Sequence, residues 1–272
     1  MSETTTSPAE ALPPTHPEAT ARDSWSVADG RVDLRRQALD PRPAELDTLP
    51  SPVTADLARS ALVVIDMQND FCSPEGWLAG WGVDVSGAAP VIEAVGRLVP
   101  AARAAGVPVI WVNWGTRLDQ ANLPAGVRHS MDPFGDGRGI GSVGAHDSRA
   151  MTRGSWGAAL VDGLERAPGD IDVDKHRLSG FWDTPLDSIL RTLRVDTVFF
   201  AGVNSDQCVY SSLIDAASLG YDVVLVDGAS GTTSPAYCHD ATLYNTRQCY
   251  GFTVDAGPLT EAFERAAEAV PA

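Results

Sequence analysis

Short, almost wholly apolar runs rich in β-branched residues recur along this chain and alternate with longer amphipathic stretches, which narrows the folds open to it. The run ALVVID from Ala61 is followed by VPVIWVN (107–113), DTVFFAG (196–202) and YDVVLVDG (221–228), with weaker candidates at DIDVD (170–174) and GFTVD (251–255). Such runs read as strands covered on both faces. Between them lie the helix-like stretches APVIEAVGRLVPAARAAG, WGAALVDGLERA, TPLDSILRTLR, SDQCVYSSLIDAASLG, PAYCHDATLYNTRQC and PLTEAFERAAEAV. Thr184 before Pro185 and Ser205 before Asp206 supply helix starts, while Gly106 and Gly220 supply stops. A βαβα order of this kind implies an α/β fold: a parallel sheet with helices on both faces.

Composition changes ahead of the first run. Residues 1–22 are rich in Thr, Ser, Pro, Ala and Glu, with too little apolar surface to offset chain entropy, and are expected to form a disordered tail. Residues 23–58 hold Trp25, Val27, Val32, Leu34 and Leu39 among repeated prolines, as an arm that wraps either the domain or a neighbouring subunit. The main domain then runs over 59–272. With 272 residues and 44% hydrophobic content the chain can bury a substantial core.

A formal charge of -16 argues against a nucleic-acid groove or an anionic membrane surface and favours a small-molecule partner. Cys72, Cys208, Cys238 and Cys249 have neither the density nor the spacing of a disulfide scaffold or a zinc ribbon, and read as reduced thiols. The N-terminus lacks a basic segment followed by an apolar run, and no stretch approaches the ~20 apolar residues of a membrane span, so a cytoplasmic protein is expected. No glycine-rich phosphate fingerprint follows a strand, so no nucleotide cofactor is indicated.

In open parallel sheets, ligands bind beyond the carboxyl ends of the strands. Three chemically distinct residues fall there: Asp66 closes ALVVID, Lys175 follows DIDVD, and Cys208 lies six residues past Gly202. A thiol near a helix N-terminus and an ammonium group is expected to have its thiolate favoured, with a nearby carboxylate able to take the thiol proton during attack. Singly, each has a plainer reading as a strand cap, a surface charge or a core thiol. Burying all three together without a chemical use would cost desolvation for no return.

ALVVIDMQNDF, VDKHRLSGFWDTPLDSILR and FFAGVNSDQCV resemble three signature regions of the isochorismatase-like cysteine hydrolases, from about Ala61 to Phe263. GSWGAALVDGL, APGD and SGFWDTPLDSILR are similar to the ureidoacrylate amidohydrolases within that superfamily. The resemblance implies a Rossmann-like three-layer sandwich with a mainly parallel six-stranded sheet, a homodimer or homotetramer, and Asp66, Lys175 and Cys208 as catalytic residues. It also implies a cis peptide between Val203 and Asn204, with the N–H groups of Asn204 and Cys208 forming an oxyanion hole. The activity it implies is cysteine-dependent hydrolysis of a small linear amide or ureide through a thioester, releasing ammonia or an amine.

Candidate substrate contacts, chosen because they flank the motif ends, are Phe71, Asn113, Trp114, Arg177, Leu178 and Phe181; Arg128 or Arg177 could pair with a substrate carboxylate. For each, a core or solvated-surface role is the plainer reading. His129, His146, His176 and His239 are scattered, and no metal-ligand pattern follows the second strand, so a metal-free, cofactor-free site is expected. Three rivals stand beside the amidase reading: vinyl ether hydrolysis of the isochorismate type, which proceeds without the cysteine; hydrolysis of nicotinamide or a related amide; and a non-catalytic binding module on the same fold. The intact Asp–Lys–Cys set disfavours the first and the last.

Overall fold

The computed structural model describes Ala19 and residues 22–269. Two hairpins precede the main sheet: β1 (Ser26–Ala28) with β2 (Arg31–Asp33), and β3 (Pro43–Leu46) with β4 (Val53–Asp56). The six strands of the main sheet are β5 (Ser60–Ile65), β6 (Val109–Trp114), β7 (Ile171–Lys175), β8 (Thr197–Val203), β9 (Asp222–Gly231) and β10 (Phe252–Asp255). Their order is β10-β9-β8-β5-β6-β7, and every neighbouring pair is parallel. The chain runs from β5 outward through β6 to β7, then returns to the other side of β5 with β8. That reversal opens a crevice between β5 and β8, where ligands of such sheets bind.

The pleat sorts side chains between two cores. On one face Leu62, Val64, Trp111, Phe199, Val224 and Val254 pack with α1 (Ala88–Ala104) and α5 (Ala256–Glu268). On the other, Val63, Ile65, Val112, Trp114, Phe200 and Leu225 pack with α2 (Leu186–Thr192) and α3 (Tyr210–Leu219). A further helix, α4 (Ala236–Asn245), follows β9. Gly106 and Gly220 end their helices with φ of 62° and 96°, as the sequence predicts. Among the described residues no helix is long and apolar enough to cross a membrane.

The second hairpin belongs to the body of the domain. Ala44, Leu46, Ala55 and Leu57 are buried in the first core, and Leu49 pairs with Thr253 at the β10 edge. The first hairpin is different: Trp25, Val27, Val32 and Leu34 are all exposed. The expected tail, apart from Ala19 and Arg22, lies outside the described residues.

One predicted helix does not form. WGAALVDGLERA is a chain of turns, because its backbone bonds go to the segment after β5: Asn69 N–H donates to Ala159 O, Asp70 N–H to Gly157 O, and Val161 N–H to Met67 O. Groups committed to a distant strand end cannot close helical turns.

Candidate active site

Asp66 directly follows β5 in a left-handed conformation, φ 51°, which Asp tolerates better than most residues and which turns the chain out of the sheet. Lys175 is the last residue of β7, two strands away. Between them stands Trp114, the last residue of β6 and the register partner of Lys175. The Lys175 ammonium crosses that indole, its Nζ 4.2 Å from the ring centroid, and reaches Asp66 Oδ2 at 2.8 Å. Cys208 sits in a single wide turn, Ser205–Val209, leading from β8 into α3. The topology thus brings together three residues 33 to 142 positions apart in sequence.

Gly202 makes this meeting possible. A Cβ at that position would lie 2.0 Å from Ile65 O, and its φ is +114°. Only glycine lets β8 pass this close to the last residue of β5 before the chain turns toward Cys208. The Val203–Asn204 peptide that follows is cis.

All three groups are sealed from water: Asp66 is 1% exposed, Lys175 0% and Cys208 6%. Burial raises the Asp66 carboxyl above its usual range, and the nearby ammonium offsets this only in part. Burial works to lower the Lys175 pKa, but the Asp66 charge, with hydrogen bonds to Asp66 and Cys208, outweighs it and holds the ammonium protonated. Burial also pushes the Cys208 thiol up to about 12; Lys175 opposes the shift and Asp66 reinforces it. One ammonium and one carboxylate already neutralise each other, so a resting thiolate would add an unpaired buried charge. The expected stable thiolate is therefore corrected: the thiol is protonated at rest. Besides its ion pair with Asp66 Oδ2, Lys175 Nζ donates to Arg177 O at 3.1 Å.

The predicted substrate contacts scatter. Phe71 is partly buried and packs against the cluster that contains Cys208. Trp114 is 1% exposed and serves as the platform under Lys175, its Nε1–H donated to Thr116 Oγ1. Asn113, one residue earlier, points to the opposite face of the sheet, where it lines a shallow pocket with Arg153, Arg166 and Asp174. Phe181 turns into the core against Tyr221, with ring centroids 6.2 Å apart. Leu178 is exposed. Arg177 bonds Asp183 through Nη2 at 2.7 Å, while its Nη1 is buried without an acceptor among the described residues. Arg128 is exposed on a short helix.

Sequence reading passed over the rest of DMQNDF. Gln68 accepts the Trp114 N–H at 2.7 Å and donates to the carbonyls of Trp114 and Ala158, tying the end of β6 to the following loop. Asn69 donates to Trp156 O, and Asp70, buried, accepts the Met151 N–H at 2.6 Å. These residues hold residues 151–159 against the site; the signal was three polar residues, Gln68 to Asp70, just past the strand end that carries Asp66. Clefts of about 480 and 720 Å³ flank the short helix Trp77–Gly80, lined by Trp81, Arg138 and Trp156 and by Cys72, Val85 and His146 respectively. Neither reaches Cys208. Among the described residues no three His, Cys, Asp or Glu side chains gather as metal ligands.

A carboxylate, an ammonium and a thiol thus meet at the carboxyl ends of a parallel sheet. Residues 60–257 match the model of the isochorismatase domain. Ureidoacrylate amidohydrolase RutB of Methylobacterium radiotolerans is 38% identical over 231 residues, 80% of this chain and 84% of that protein. A cysteine hydrolase of Pseudomonas syringae superposes with a TM-score of 0.66 at 24% identity, over 78% of this chain and 95% of its own. N-carbamoylsarcosine amidase of Thermoplasma acidophilum does so with 0.54 at 26%, over 72% and 95%. The chain belongs to the isochorismatase family, and it is a hydrolase.

Proposed function

We propose that this protein hydrolyses a carbamoyl-type C–N bond in a small linear amide or ureide, with Cys208 as nucleophile. The observation that carries the reading is the Cys208 thiol lying against a fully buried Asp66–Lys175 ion pair at the crevice of the sheet. Asp66 takes the thiol proton as Sγ attacks the carbonyl carbon, so a free thiolate is never required at rest. The N–H groups of Asn204 and Cys208 stabilise the oxyanion. Collapse expels the amine, which leaves with the proton held by Asp66, and the acyl group remains on sulfur. Water, deprotonated by Asp66, then attacks the thioester; the thiolate leaves and recovers its proton, releasing the acid. Lys175 stays protonated and holds Asp66 in place.

The two relatives named for ureide substrates agree with this class, and Arg177 Nη1, buried and without an acceptor among the described residues, suits a substrate carboxylate. The working form is a cytoplasmic homodimer or homotetramer, without metal or cofactor. Incubating the enzyme with ureidoacrylate, carbamoylsarcosine, biuret and nicotinamide, and measuring ammonia beside Cys208→Ala, tests the reading. We expect release from a ureide that falls by at least about a thousandfold in the variant. Equal release by the variant sinks it.

A further inference from the structure

The turn that carries Cys208 is fastened along one side to the residues that follow β9. Asn204 Oδ1 accepts the Thr233 N–H at 3.1 Å, and Asn204 Nδ2 donates to Thr233 Oγ1 at 3.3 Å. Thr232 Oγ1 donates to Asp206 Oδ1 at 2.5 Å, and Gln207 Nε2 donates to Ser234 Oγ at 3.2 Å. Every residue from Asn204 to Gln207 is held, and one of these contacts runs deeper. Ser205 Oγ lies 2.8 Å from His239 Nδ1 on α4, and His239 Nε2 lies 3.1 Å from Asp227 Oδ1 on β9.

Serine, histidine and aspartate linked in this order have the connectivity of a nucleophile, its base and an orienting acid. Here the serine cannot attack a substrate, because it is 0% exposed. Its hydroxyl is also not the helix cap that the sequence suggests, since it is committed to the imidazole. Asp227 further accepts the Gly228 N–H at 2.8 Å, which fixes the carboxylate. Asp227 raises the His239 pKa by its hydrogen bond and charge, and with Nε2–H directed at Asp227 the ring's Nδ1 pairs with Ser205 Oγ, as acceptor when the ring is neutral and as donor when it is protonated. The chain therefore transmits the position of β9 to the first residue of the nucleophile turn.

We propose that Ser205, His239 and Asp227 form a positioning chain that sets the attitude of the Cys208 turn, so that the Asn204 and Cys208 N–H groups meet the developing oxyanion. It rests on the thiol-nucleophile reading above. None of the three touches the reacting atoms. Loss of the chain lets the turn shift, which penalises the transition state more than substrate binding.

The test uses the full chain with Ser205→Ala, His239→Leu and His239→Asn. Asparagine keeps a polar group near the Nδ1 position and so preserves the contact with Ser205. Two readouts are taken: kcat and KM for ureidoacrylate, and hydrogen exchange of residues 204–209 without substrate. We expect Ser205→Ala and His239→Leu to lower kcat about a hundredfold, the scale of a slight misplacement at the reacting centre, with KM within about twofold. Both should speed exchange of the turn, the Ser205→Ala/His239→Leu double variant should lose no more than either single one, and His239→Asn should recover most of kcat. Unchanged kcat, or a loss confined to KM, overturns the chain. So does unchanged exchange, which judges the chain even if wild type turns over no ureide; that second outcome would instead strike the thiol-nucleophile reading.

Discussion

Asp66 carries opposite demands. As the proposed base it must be ionised, yet burial favours its neutral form and Lys175 compensates only in part. Its folded pKa is raised, so the stability it contributes is fully present below the unfolded value, about 3.9, and is lost as pH rises through the folded one. Activity should appear over the same interval. The acid limb of kcat/KM is therefore expected above the range of an exposed carboxylate, and Asp66→Asn should abolish turnover rather than move the limb. A pH profile of wild type checks this, and a limb at or below pH 4 would contradict it. Lys175→Met, by contrast, leaves a buried carboxylate unpaired.

At the scale of elements, the site depends on how closely β8 approaches β5. Gly202→Ala puts a methyl group 2.0 Å from Ile65 O at a φ that L-residues rarely adopt. A destabilisation of about 3 kcal/mol or more is expected, combining overpacking with the left-handed penalty. Urea denaturation measures it; a loss under about 1 kcal/mol would show that the strands can separate without cost. The elements also show which parts of the site could be read from sequence. Asp66, Lys175 and Cys208 were legible because each lies at or just past a strand end, and the topology gathers strand ends. Asn113 and Trp114 are adjacent and equally polar or aromatic in prospect, but the pleat sends one to each face, and only the finished register decides which. The 156–167 segment misled because its backbone partners, residues 67–70, are far away in sequence. The Ser205–His239 link was hidden for the same reason, its members being 34 residues apart.

Across the whole molecule, the net charge of -16, the all-parallel sheet and the buried Asp66–Lys175–Cys208 set, assembled only by folding, suit the proposed hydrolysis of a small molecule. The second N-terminal hairpin is part of that body through Leu46 and Leu57, whose burial contributes about 2 kcal/mol each. The first hairpin keeps its apolar side chains exposed. The sequence marked an arm without separating these halves, since both mix prolines with isolated apolar residues. Chemistry at Cys208 is the central claim, and the acid-quenched mass of the peptide that contains it tests that claim most directly. During turnover of a ureide this peptide should carry the acyl group as a hydroxylamine-labile thioester, absent from Cys208→Ala. An acyl group on another residue, or undiminished turnover by Cys208→Ala, would contradict the account.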